Sequence, residues 1–244
     1  MSKLSTLLAA SAAVVAATGV SAAVVSLDGF DTPFDPNPLA TSGSMVTSMT
    51  TISTGGNTFD RTTTLEVDQN TNGPPSMASV RTDNGSAVFS NDTGVASILT
   101  FSYDVGDTFN MAQTGAATGS LRISELTADR PRTYTFSING VEQSSSTQLI
   151  DTELGTQNDV FLTFSTAMLT GDDVFTVEID AGAEAGAAFP GSPGSIGDAL
   201  DLELAMFEIE IPELPPVDVP APGALGLLGL GLLGIGLSRR RTAA

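Results

Sequence analysis

Between Val24 and Ile211, apolar and polar residues trade places at every second position in short runs. Leu99, Phe101, Tyr103 and Val105 form one such run. Tyr134, Phe136 and Ile138 form a second, Val160, Leu162 and Phe164 a third, and Phe175, Val177 and Ile179 a fourth. A period of two puts each set on one face of a strand, with one side in a core and the other in water. The runs are rich in Val, Ile, Phe and Thr, and Gly, Asn, Asp and Pro clusters separate them, which is the punctuation of strands and turns. Asn139-Gly140 between two of them predicts a tight hairpin. In "LELAMFEIEI" the apolar set runs Leu202, Leu204, Met206 and then changes parity to Phe207, Ile209, Ile211. A β-bulge near Met206-Phe207 is expected to keep both sets facing the core. About ten segments of this kind, with no amphipathic helix between them, predict an all-β fold: an antiparallel β-sandwich.

The two ends break the pattern. "MSKLSTLLAASAAVVAATGVSAAVVS" has a basic start at Lys3, a Leu/Ala/Val-dominated run from Leu4 to Val20, and small residues at Ser21, Ala22 and Ala23. This is the layout of a secretory signal peptide, an N-terminal helix that signal peptidase removes after Ala22 or Ala23. A mature protein starting near Val24, outside the cytoplasm, is the expectation. "AGAEAGAAFPGSPGSIG", Ala181 to Gly197, reads as a long loop before the last strand. The five prolines between Ile211 and Pro222 read as an extended spacer.

Beyond the spacer, Gly223 to Leu237 contains only Gly, Ala, Leu and Ile. As a hydrophobic helix it covers about 22 Å, short of a hydrocarbon core of roughly 30 Å. Six of its residues are glycine, and each weakens a helix in water by about 1 kcal/mol relative to alanine, so a soluble core helix is a poor account of it. Arg239, Arg240 and Arg241 follow and are expected to stay on the cytoplasmic side of a membrane. None of the glycines stands four residues from another, so no GxxxG dimerisation motif exists.

A short proline motif, a glycine-leucine segment and a terminal arginine cluster, at the end of a chain that begins with a signal peptide, resemble the PEP-CTERM sorting signal of Gram-negative bacteria in its VPxP-type variant. The resemblance implies recognition by an exosortase, a membrane cysteine protease or transpeptidase. Val219, Pro220, Ala221 and Pro222 would then be its motif, Gly223 to Leu237 the transiently inserted segment, and Arg239 to Arg241 the stop. Ala221 stands where the commonest form of the signal has glutamate. The implied route is export, transient residence in the inner membrane, and release to the cell surface or extracellular matrix. The chain then divides into a signal peptide (1–23), a β-sandwich domain (24–211), a Pro-rich linker (212–218) and a sorting tail (219–244).

Charge and composition narrow what the middle does. All 28 acidic residues lie between Asp28 and Asp218, against five arginines in the same stretch, Arg61, Arg81, Arg122, Arg130 and Arg132, for a formal charge of −23. A surface of that sign repels phosphate backbones, which excludes nucleic acid as a partner. The chain has no cysteine and no histidine, which removes Cys/His zinc sites, thiol nucleophiles and Ser-His-Asp chemistry. No tryptophan and only two tyrosines, Tyr103 and Tyr134 at inward strand positions, leave few aromatic platforms for sugars.

No cofactor is required by this reading, and Ca2+ is the one ion with candidate ligands. "DQNTNG" places Asp68, Asn70 and Asn72 at the spacing of a calcium loop, although Ser79 occupies the position of its bidentate glutamate and a polar hairpin loop accounts for the same residues. Separately, "LDGFDTPFD" (Asp28, Asp31, Asp35) and "GDALDLEL" (Asp198, Asp201) are similar to the terminal segments of galactose-binding-like jelly rolls. There, acids from the first and last strands often hold a structural calcium, and the resemblance implies a jelly-roll-like sandwich. The expected function is that of a non-enzymatic surface or extracellular-matrix protein. The alternative is a carbohydrate-binding module acting on exopolysaccharide.

Overall fold

The computed structural model describes residues 22–41, 43–70, 73, 75–106, 108, 118–148, 157–181 and 200–212. Among them, Ser21–Glu213 bounds one compact unit; the other, Met1–Val20 with Leu214–Ala244, lies outside the described residues, and with it both terminal helices expected above.

The described residues carry thirteen strands, more than the alternation alone separates: β1 (Ala22–Asp28), β2 (Leu39–Thr41), β3 (Met45–Thr54), β4 (Asn57–Asn70), β5 (Met77–Asp83), β6 (Ser86–Asn91), β7 (Val95–Gly106), β8 (Thr118–Ala128), β9 (Arg132–Ile138), β10 (Val141–Gln148), β11 (Asn158–Ser165), β12 (Asp173–Ala181) and β13 (Asp201–Pro212). They form two antiparallel sheets. One runs β11-β8-β13-β6-β5-β2, with β1 beside β13, and the other runs β10-β9-β12-β7-β4-β3. Along one edge of β13, β6 covers Asp201 to Leu204 and β1 covers Phe207 to Pro212, so the first strand completes what β6 leaves open.

The four runs read from the sequence all point inward: each of their residues is buried. Thr, Ser and Asn alternate with them on the wet side, so one sheet face costs little to hydrate while the other removes apolar area from water. Two-residue turns join three of the hairpins at Gly55-Gly56, Asn84-Gly85 and Asn139-Gly140. All six residues have positive φ, the conformation that closes a hairpin with the twist of its strands. Asp173 locks the third turn. Its carboxylate accepts from Thr170 N, Thr170 Oγ1, Gly171 N and Asn139 Nδ2, while Asn139 Oδ1 accepts from Val174 N.

The bulge expected in β13 lies at Ala205, ahead of Met206-Phe207, since its register with β8 passes from Leu204 to Met206. Parity therefore changes before Met206. Leu202, Leu204, Phe207, Ile209 and Ile211 are buried, whereas Met206 is half-buried on the other face, its sulfur 4.0 Å from Arg122 Nη2. Ala181, expected to open a loop, is the last buried residue of β12. The rest of that stretch is outside the described residues. Pro212, read as the first linker residue, pairs with Ala22.

Two aromatic clusters fill the space between the sheets. Phe30, Phe34, Phe101, Tyr103 and Phe207 form one, with centroids 5.2 to 6.5 Å apart, and Phe136, Phe164 and Phe175 the other. The twelve phenylalanines of the chain thus include seven that stack in these two groups.

Candidate functional site

Two polar constellations are buried where the alternation calls for apolar side chains. In β4 the inward set is Phe59, Arg61, Thr63, Leu65 and Val67, and Arg61 is fully buried. Opposite it in β7 is Tyr103. From the facing sheet, a bulge at Leu27 in β1 turns both Leu27 and Asp28 into the core. Asp28 then accepts from Arg61 Nη1 at 2.9 Å, Tyr103 Oη at 2.9 Å and its own loop's Phe30 N at 2.8 Å. Arg61 Nη2 donates to the carbonyl of Thr32 at 2.9 Å, and its guanidinium lies 4.3 Å from the Phe34 ring centroid.

The second group repeats the chemistry. Arg132 and Tyr134 share the inward face of β9, and Glu125 comes across from β8, whose own register skips Leu126. Arg132 Nε donates to Glu125 Oε1 at 2.7 Å and Asn158 Nδ2 donates to Oε2 at 2.7 Å; Arg132 Nη2 and Tyr134 Oη also bond the carboxylate. Burial pushes the Glu125 carboxyl up, but the hydrogen bonds from Arg132, Tyr134 and Asn158 outweigh it and leave it below the ordinary glutamate value. Burial, then the neighbouring carboxylate, holds both phenols well above the usual tyrosine value. Neither tyrosine ionises, so both act as fixed donors. The two groups tie one sheet to the other and present nothing to solvent.

Asp28, one of the candidate calcium ligands, is therefore consumed by Arg61 and Tyr103. Asp201 does not share its neighbourhood. Asp28 pairs with Phe207 in β13, and Asp201, six residues along that strand, is about 20 Å away at 3.3 Å per residue. Asp201 is exposed, accepts from Ser90 Oγ at 2.5 Å, and donates its N–H to Asp129 Oδ1 at 2.8 Å. Asp31 and Asp35 are exposed in the loop after β1, and Asp198 is outside the described residues. Asp68 is exposed within β4. The Asn70 side chain is taken up by the turn itself, accepting from Gly73 N at 2.8 Å and donating to Ser76 O at 3.0 Å, while Asn72 is outside the described residues. Among the described residues, no group of three acids is placed to hold a metal ion.

What the fold does present to solvent is the outer face of the six-stranded sheet. Strand registers align Ser145, Thr135, Glu178, Thr100, Thr64 and Thr47 in one row across all six strands, and Glu142, Ser137, Thr176, Ser102, Thr62 and Met49 in the next. Cross-strand hydroxyl pairs link them, Thr47 with Thr64 at 3.2 Å, Ser102 with Thr176 at 3.3 Å and Thr135 with Ser145 at 3.3 Å. Six strands at about 4.8 Å make this hydroxyl-lined surface about 24 Å wide. Glu178 lies in its middle, its carboxyl raised by burial and then by Asp180, Glu142 and Glu66.

The predicted sorting residues, Val219 to Pro222 and Arg239 to Arg241, lie outside the described residues. Ala22 and Ala23, the predicted cleavage positions, open β1 opposite Pro212 and Ile211. Among the described residues, no helix is long and apolar enough to cross a membrane.

The fold and tail together define the class: an all-β, two-sheet sandwich that carries a sorting signal. Residues 218–241 match the PEP-CTERM protein-sorting motif, covering the proline motif, the glycine-leucine segment and the arginines. No curated protein matches the chain significantly. Among solved structures the chain is similar to one described as "CBM4 structure and function" (12% identity, TM-score 0.35, covering 62% of this chain and 87% of that one). It is also similar to a family 35 carbohydrate-binding module from Clostridium thermocellum (8%, 0.30, 73% and 97%) and to a Stig cyclase, Fisc, from Fischerella sp. TAU (11%, 0.37, 80% and 100%).

Proposed function

We propose that this is a non-enzymatic protein of the cell surface or extracellular matrix, exported through a signal peptide and processed at its tail by an exosortase-like membrane transpeptidase. The observation that carries the reading is the sorting motif over residues 218–241, joined by a proline spacer to a compact sandwich. The chemistry of the sandwich agrees with it. Its buried charges are paired or hydrogen-bonded inside, and its broad wet face carries hydroxyls that hydrogen-bond to one another. Intact mass of the protein recovered outside its native host cells is the test. The expected species starts near Val24 and lacks Arg239 to Arg241; extracellular material that keeps the arginines overturns the reading.

A second reading, binding of a glycan to the outer face of the six-stranded sheet, is favoured by the two hydroxyl rows. Extended sugars present hydroxyls that match such donors and acceptors, without aromatic platforms. It predicts that Thr62→Lys with Thr100→Lys abolishes retention on the host's own exopolysaccharide. No retention of the unaltered protein removes it.

A further inference from the structure

The free edge of β3 stands apart from every other sheet edge in the described residues. β2 ends its sheet with three residues, β1, paired only with β13, breaks its register between Ser26 and Asp28, and β10 carries Glu142 and a register break between Glu142 and Ser144. β11 carries Asp159, which is held by Arg122. β3 has ten residues, "MVTSMTTIST", with no charge, no proline and no bulge along its whole register with β4. Natural edges usually carry one of those devices to prevent strand addition. On the wet side of β3, Met45 is 65% and Met49 is 69% exposed.

The turn fixes which groups the edge offers. Thr54 and Asn57 flank the two-residue Gly55-Gly56 turn, so they form a hydrogen-bonded pair, and the bonded pairs recur at every second residue back along β3. Even-numbered residues thus spend their N–H and C=O on β4. Met45, Thr47, Met49, Thr51 and Ser53 aim theirs outward.

We propose that β3 pairs antiparallel with β3 of a second copy of this chain, about a twofold axis at Met49, to join the two six-stranded sheets. In that register Met49 faces Met49 of the second copy, Thr47 faces Thr51 and Met45 faces Ser53. All five outward-aimed residues of each strand meet their counterparts in bonded pairs. Side chains keep their faces, with Val46 beside the second copy's Ile52 on the core side. The charge of the domain does not oppose it. The acids registered against β3, Asp60 opposite Thr51 and Glu66 opposite Met45, stand on β4, so the two acidic strands are three strand spacings apart, about 14 Å. That exceeds the screening length of about 8 Å at physiological salt.

The absence of cysteine makes single-cysteine cross-linking of the full chain in detergent a direct test. A bonded antiparallel pair holds its Cα atoms about 5.5 Å apart, within disulfide reach. Met49→Cys should form a disulfide-linked dimer on mild oxidation. Met45→Cys alone should not, because its own copy lies about 27 Å along the strand, but mixed with Ser53→Cys it should cross-link. Thr47→Lys with Thr51→Lys, added to Met49→Cys, should lower the dimer yield at least tenfold while the circular dichroism spectrum stays unchanged. Met49→Cys cross-linking no better than Phe161→Cys on β11, or Met45→Cys cross-linking with itself as well as Met49→Cys does, overturns the proposal.

Discussion

Replacing Arg61 by methionine tests the claim that buried ion pairs hold the two sheets in register. The substitution keeps a long apolar stem beside the Phe34 ring but removes the charge. Asp28, 2% exposed, then retains only the Phe30 N–H at 2.8 Å and the Tyr103 hydroxyl at 2.9 Å. Leaving one member of a buried pair uncompensated costs about 3–5 kcal/mol. The carbonyl of Thr32 also loses its donor, but its loop can turn to water, so it adds little. A loss of about 4 kcal/mol is expected, a large share of a stability that is typically about 5–15 kcal/mol. For a domain of this size that is a fall in Tm of about 8–16 °C. The double variant Arg61→Met with Asp28→Asn removes both charges and should recover at least half of the loss. Urea unfolding followed by circular dichroism measures all three proteins. A single variant within about 1 kcal/mol of the parent, or a double variant no better than the single, refutes the reasoning.

Three further outcomes follow from the same structure. Glu125 has a lowered folded-state carboxyl, so its contribution is complete above the unfolded value of about 4.3 and is lost as pH falls through the folded one; Glu125→Gln should lower stability at pH 7 yet flatten the acid limb of a stability–pH profile, and an unchanged limb contradicts the assignment. Glu178 has a raised carboxyl, so its charge opposes folding increasingly as pH rises through the unfolded value. Glu178→Gln should raise Tm at pH 7 and make no difference near pH 3, which a pair of thermal melts decides. Gly119 lies opposite Phe164, and a Cβ there would stand 2.5 Å from the ring, itself wedged against Phe136 and Phe175. Gly119→Ala should therefore cost about 1–3 kcal/mol in urea unfolding, and Gly119→Ala with Phe164→Leu should be less destabilised than the two single losses added together.

The strand faces were legible because burial on one side of a sheet forces a period of two. Every residue of the four strongest runs is buried as the alternation requires. The register separates Asp28 and Asp201, two of the candidate calcium acids, for a physical reason. Acids near the two ends of a sandwich suggest a shared site only if the first and last strands align them, and the actual register sets Asp28 against Phe207, far from Asp201. The Arg-acid-Tyr groups did leave a trace: Arg61 and Arg132 sit at inward positions of alternating runs. Their partners did not, because Asp28 and Glu125 reach the core only through the irregular registers of β1 and β8. A bulge depends on which neighbour a strand meets, and no local pattern names that neighbour.

By itself, then, the sequence determined the all-β class, the inward faces, the Asn139-Gly140 turn and the sorting motif at the tail. Each of these is a local property, set by side-chain order along a few residues of chain. Only the tertiary structure decided which carboxylates meet which arginines, that the outer face lines its hydroxyls into rows across six strands, and that β3 ends its sheet uncharged. Those depend on strand order and register, which arise from contacts between residues distant in the chain.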